Sequence, residues 1–160
     1  MRHTTRIDIP KARRDKIIAI LRGHLADGID LMMQSKTAHW NVRGPQFIAL
    51  HELFDKVAEG VEENNDEIAE RIAQLGESVD GTVRGVAAAT ALKAYPLTIA
   101  DGMSHMAAVA DALAGFAARV RPGIDETGTL GDAVTADVLT GVARSTDKLL
   151  WFVEAHSQGD

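Results

Sequence analysis

The chain contains no cysteine in its 160 residues, so disulfide frameworks and thiolate metal sites are excluded. Aromatic residues are scarce at 4%, although 46% of the chain is hydrophobic. With alanine abundant, that balance favours helices over sheets. No apolar run approaches the roughly eighteen residues of a membrane helix. The N-terminal stretch MRHTTRIDIPKARRDK has basic residues with no apolar segment behind them, so it does not read as a secretory signal. Positive charge is in deficit: 17 Lys and Arg against 23 Asp and Glu leave a formal net charge of −6, a poor starting point for binding a polyanion. The closing residues EAHSQGD hold no lysine or arginine. These absences lead to the expectation of one cytoplasmic domain with no membrane partner, long enough to bury a real core.

What is present is concentrated between His39 and Arg71, in HWNVRGPQFIALHELFDKVAEGVEENNDEIAER. Pro45 suits a first-turn position after Gly44. Phe47, Leu50, Phe54, Val57 and Val61, then Ile68, Ile72 and Leu75, recur at intervals of three and four. That spacing predicts an amphipathic helix closing at Gly76. His51 and Asp55 are four residues apart, as are Asp66 and Glu70, so each pair shares a helix face. Along the axis, Asp55 and Asp66 are separated by about 16 Å, while a metal–ligand bond is about 2 Å. One helix therefore cannot close a metal site with all four. Two copies crossing antiparallel could. Pairing 51 with 70 and 55 with 66 places one shared centre between Gly60 and Val61, and a two-fold axis there generates two identical sites. Gly60 would permit close approach at such a crossing, and His39, ending the preceding helix, would supply a further ligand. Taken singly, Asp66 and Glu70 equally fit a solvated helix face, and His51 an ordinary packed histidine. It is the common centre of the two pairs that sets a metal site against that plainer reading.

Elsewhere the pattern predicts a short arm over residues 1–10 and a helical bundle over 11–157. The first helix starts at Pro10, with Ile18, Leu21, Leu25, Ile29 and Met32 as its buried stripe, and ends near His39–Arg43. A short alanine-rich helix is expected over Val86–Lys93. The third main helix is expected from Asp101 to Val120, with Met103, Met106, Ala110, Leu113 and Ala117 inward, stopped by Arg121–Pro122–Gly123. Asp132 reads as the cap of a fourth helix carrying Val134, Val138, Val142, Leu149 and Phe152. His3, His24, His105 and His156 have no partner at ligand spacing and read as surface or packing residues. Trp151 is expected to pack the last helix.

The runs HWNVRG at 39–44, LHELFD at 50–55, DEIAER at 66–71 and LWFVEAH at 150–156, with Phe47, resemble the Dps family (DNA-binding proteins from starved cells), small ferritin-like dodecamers. The likeness extends over nearly the whole chain. It implies an all-α, ferritin-like four-helix bundle with a short extra helix in the long crossover between helices 2 and 3. It also implies a ferroxidase centre shared between two-fold related subunits, with His39, His51 and Asp55 from one chain and Asp66 and Glu70 from the other. All five positions match. Mixed histidine and carboxylate ligation suits Fe(II), Zn(II), Co(II) or Mn(II) alike; the resemblance selects iron, one or two ions per interfacial site. Fe(II) would be oxidised to Fe(III) by hydrogen peroxide in preference to dioxygen, and stored as ferric mineral inside a homododecamer, protecting DNA from oxidative damage. Ferritin-like di-iron proteins place Glu-x-x-His pairs inside the bundle. None occurs here, which moves the expected chemistry to the interface.

The remaining roles follow from the same resemblance. Trp40 would donate electrons near the site or pack at the dimer interface. Glu59, Glu62 and Glu63 would support mineral nucleation or form a solvated face. Asp132 and Asp137 are candidates for an iron-entry pore, with Asp125 and Glu126 behind them. Arg2, Arg6, Lys11, Arg13 and Arg14 would form a DNA-binding arm. The alternative function is a nucleoid-associated, DNA-compacting protein with secondary iron chemistry, and a more distant one is a similar shell holding zinc or manganese.

Overall fold

The computed structural model describes residues 3–156. Arg2, one of the expected arm cations, and residue 157 at the expected end of the bundle lie outside the described residues. Among those described there are five helices: α1 (Lys11–Asn41), α2 (Phe47–Gln74), α3 (Val83–Ala89), α4 (Gly102–Thr129) and α5 (Ala133–Glu154). One isolated parallel bridge joins Arg43 to Asp101.

The four long helices form the bundle. α1 packs mainly on α2 and α4 mainly on α5, with α1–α4 and α2–α5 contacts closing the ring. Residue pairings give the directions. Lys36 meets Asp55 and His39 meets His51, Arg119 meets Asp27 and Gly123 lies against His24, and Gly60 lies against Leu149 and Arg71 meets Asp132. α4 and α5 are joined by a short turn, with Arg121 meeting Asp147, so each neighbouring pair is antiparallel. α2 and α4 must then run the same way, and the chain between them has to travel the length of a 28-residue helix, about 42 Å. The crossover is secured to α1: Asp27 accepts from the Ala91 N–H at 2.7 Å, Asp30 accepts from the Thr90 hydroxyl at 2.8 Å, and Gln34 donates to the Lys93 carbonyl at 2.9 Å.

The predicted stripe of α2 is the core stripe from Leu50 to Leu75, but its first expected member, Phe47, is exposed at the start of the helix. Phe54, Val57, Val61, Ile68 and Ile72 are fully buried and join Leu21, Leu31, Leu113, Phe116 and Leu139 in one cluster. Each such side chain contributes about 1.5–3 kcal/mol through burial. α2 starts at Phe47, with Pro45 in the preceding turn, and ends where Gly76, at φ 92°, allows the Glu77 N–H to reach back to the Ile72 carbonyl.

Three expectations need correction. Pro122 does not stop the third long helix, which continues to Thr129. The proline forfeits one backbone hydrogen bond, but the following turns bury Gly123 and Thr127 and pack Ile124 against the core. Gly123 also lets α4 approach α1, since a Cβ there would lie 2.6 Å from His24 Nε2. The short helix lies earlier than expected because the Thr82 side chain caps it by accepting from the Gly85 N–H; it ends where Thr90 and Ala91 turn to α1. Met103, Val134 and Trp151 face outward rather than into the core.

Candidate metal centre

His39 belongs to the last turn of α1 and His51 to the first turns of α2. The reversal between them needs Gly44 at φ 109°. The two rings stack with centroids 3.7 Å apart and planes 20° from parallel. Each imidazole then bonds the other residue's backbone: His39 Nδ1 lies 2.8 Å from the His51 carbonyl, and His51 Nδ1 lies 2.8 Å from the His39 carbonyl. A carbonyl oxygen only accepts, so both Nδ1 atoms carry hydrogen, and in the neutral rings both Nε2 atoms carry the lone pair. This is how a metal-ligating imidazole is oriented: the far nitrogen is fixed by backbone and the near one is left to coordinate.

Asp55 stands one turn beyond His51. Its carboxylate accepts from Lys36 Nζ of α1 at 2.5 Å, a contact that spacing within α2 did not reveal. That hydrogen bond holds the Asp55 carboxyl below its usual range; burial opposes it, and the Lys36 charge lowers it further. Asp55 is thus ionised at neutral pH and already holds a cation. Trp40 is exposed on the same turn, with Lys36 Nζ 5.9 Å from its ring centre.

Asp66 and Glu70 are exposed on the far half of α2, away from the two histidines. No group of three or more histidine, aspartate or glutamate side chains among the described residues is placed to hold a metal within one chain. Asp66 borders a groove of about 720 Å³ whose lining includes Glu59, Glu62 and Glu63 beside Leu25, Ile29 and Met32. Gly60 does not face open space. A Cβ there would come within 3.1 Å of Leu149, so the glycine admits α5 of its own chain.

Asp132 caps α5 by accepting from the Thr135 N–H at 2.9 Å, as expected. It is also 2% exposed and receives Arg71 Nη2 on both oxygens at 3.0 Å. Those bonds commit the carboxylate and correct its assignment to an entry pore, whereas Asp137, Asp125 and Glu126 are exposed. Residues 3–9 are docked rather than free. His3 N–H donates to the Gly76 carbonyl at 3.1 Å, and Ile7 and Ile9 pack against the core. Lys11, Arg13 and Arg14 lie in α1, with Lys11 paired to Asp15 at 2.6 Å, and Arg6 is exposed.

A four-helix bundle with one long crossover defines the ferritin-like class, and the ferritin-like domain family matches residues 18–159. Among curated relatives, the DNA protection during starvation protein of Agrobacterium fabrum is 42% identical over 156 residues, covering 98% of this chain and 96% of its own length. Among solved structures, DpsA14 from Streptomyces coelicolor superposes with a TM-score of 0.91 at 34% identity, covering 97% of this chain and 92% of its own. The Dps protein of Vibrio cholerae O1 superposes at 0.89 with 26% identity over 97% of both chains, and is described as a member of a broad superfamily of ferritin-like diiron-carboxylate proteins. The chain belongs to the Dps family.

Proposed function

We propose that this protein is a ferroxidase and iron store. Two two-fold related chains build each centre: His39, His51 and Asp55 come from one, and Asp66 and Glu70 from its partner. The observation that carries this reading is the reciprocal Nδ1–carbonyl bonding of His39 and His51. It presents two Nε2 lone pairs beside an ionised Asp55, while the other two carboxylates are about 16 Å or more along the helix and need a second chain to reach them. Neutral imidazole with carboxylate suits Fe(II) as the substrate ion. Lys36 holds Asp55 until a metal cation displaces it.

Hydrogen peroxide accepts two electrons, one from each of two Fe(II) ions, and with two protons leaves as water, so no hydroxyl radical is released. The Fe(III) passes to the acidic interior of a cytoplasmic, dodecameric cage, where clustered carboxylates concentrate cations; DNA is protected by removal of iron and peroxide together. Docking of residues 3–9 against Gly76 and the core supports this chemistry over DNA compaction by free basic tails. The test is anaerobic Fe(II) loading followed by stoichiometric peroxide, beside an Asp66→Ala/Glu70→Ala variant. Rapid ferric absorbance in the native protein and its loss in the variant are expected. Equal rates in both would reject the reading.

A further inference from the structure

The crossover carries the chain's single tyrosine, and its hydroxyl lies 2.5 Å from Nδ1 of His105 on α4. The rings are nearly parallel, with planes 16° apart and centroids at 6.1 Å. His105 is 1% exposed, and its Nε2 is buried with no hydrogen-bond partner. Nothing in the metal site uses this pair. We infer that Tyr95 and His105 form a proton-coupled electron-donor pair, in which Tyr95 yields an electron to a strong one-electron oxidant and its phenolic proton moves to Nδ1 of His105.

Burial raises the Tyr95 phenol to about 12, so the residue is a phenol, not a phenolate, at neutral pH. An oxidised phenol is a strong acid and must shed its proton as the electron leaves. His105 Nδ1 is the base in contact with it. Burial lowers the His105 pKa and the Asp101 carboxylate raises it, so the ring is a neutral acceptor beforehand and Asp101 offsets the imidazolium formed.

Position favours the same role. Asp101 bridges to Arg43, and a Cβ on Gly102 would come within 2.5 Å of Leu50 Cδ1. The start of α4 therefore abuts the α1–α2 junction that holds His39 and His51, and His105 is one turn along. Tyr95 is half-buried and lines a groove with Met32 and Met33, which leaves the radical open to reductants in solution.

The biological oxidant, hydroxyl radical formed when Fe(II) meets peroxide outside the two-electron route, rests on the ferroxidase reading; the donor chemistry does not. The hydroxyl radical takes one electron to become hydroxide, which solvent protonates to water. Tyr95 becomes a neutral phenoxyl radical and His105 an imidazolium. A thiol or ascorbate then returns one electron to Tyr95, and the proton goes back from His105.

The test uses the whole metal-free protein and a photogenerated ruthenium(III) polypyridyl oxidant, read by transient absorption and electron paramagnetic resonance. The expected result is a phenoxyl radical whose hydrogen-bond hyperfine coupling is lost in deuterium oxide and whose formation slows there. Tyr95→Phe should abolish it and shift oxidation to Trp40 and Trp151. His105→Gln, which can accept a hydrogen bond but not a proton, should slow it about tenfold or more at neutral pH. No phenoxyl signal in the native protein would overturn the proposal, as would a rate indifferent to both deuterium and His105→Gln. If His105→Gln fails to fold, the deuterium-sensitive coupling in the native protein decides alone. A phenoxyl formed by ruthenium but not by Fe(II) and peroxide would overturn the assigned oxidant. Loss of ferroxidase activity with the ruthenium result intact would count against the ferroxidase reading only.

Discussion

Replacing Asp132 with alanine should destabilise the bundle by about 4 kcal/mol. The substitution removes an N-cap, which costs about 1 kcal/mol. It also strands Arg71, which is 5% exposed and loses both 3.0 Å bonds from Nη2. Breaking one side of a buried pair costs about 3–5 kcal/mol, and here the lower end applies because Thr135 Oγ1 at 2.9 Å and Gln74 Oε1 at 3.2 Å still engage the guanidinium. For a chain of this size the midpoint should fall by about 2–4 °C per kcal/mol. Asp132→Asn keeps the cap and should cost about 1 kcal/mol less. Arg71→Met combined with Asp132→Asn should cost clearly less than the two single changes added together, because no charge is left buried alone. Guanidinium unfolding at matched protein concentration measures all three, since assembly contributes to apparent stability. A loss below about 1 kcal/mol for Asp132→Ala, or additivity in the double variant, would refute the reasoning. The pH dependence has a definite sign. Burial pushes the Asp132 carboxyl up, but the hydrogen bonds from Thr135 and Arg71 and the Arg71 charge outweigh it and leave it lowered. Its contribution is therefore present above the usual carboxylate pKa and lost as pH falls through the lower folded value.

Lys36→Met should let the Asp55 carboxyl rise toward its ordinary value and raise affinity for a divalent ion by about two- to fivefold. The modest size reflects a partly exposed pair. Nuclear magnetic resonance titration of Asp55 and calorimetric Co(II) titration measure the two effects, and weaker Co(II) binding would mean that Lys36 organises the site rather than competing for it. His24 is buried and its pKa is lowered, mainly by burial, with Arg119 adding to and Asp27 opposing the shift. The unfolded chain takes up this proton near 6.5 and the folded one resists it, so stability should decline below that pH by up to about 1.4 kcal/mol per pH unit. His24→Gln should flatten that decline in denaturation curves taken across the range; an unchanged slope would exclude His24 as its source. Phe116→Ala, at a fully buried position, should cost about 3–5 kcal/mol in the same assay.

The sequence was most legible along α2. A long amphipathic period sets both its core stripe and the register of its histidine and carboxylates, and that register carries over into the fold. It was least legible where distant chain segments meet. Arg121–Pro122–Gly123 is a local breaker, and only the packing of Gly123 on His24 and the burial of Thr127 show why α4 continues through it. Gly60 announces missing volume but not its occupant, which is Leu149. The cap at Asp132 is a local signal, whereas its partner Arg71 is 61 residues away and reverses the residue's expected exposure. Lys36 pairs with Asp55 across two helices, a contact that spacing within either helix does not encode. Tyr95 meets His105 from a crossover that Asp27, Asp30 and Gln34 hold against α1.

Co-assembly of two inactive chains addresses the shared centre most directly. One chain would carry His51→Ala/Asp55→Ala and the other Asp66→Ala/Glu70→Ala. A two-fold centre predicts that each mixed dimer regains one intact site of two, so mixed assemblies should recover ferroxidase activity that neither parent has. Assemblies that form normally but stay inactive at every mixing ratio would contradict a centre shared between chains.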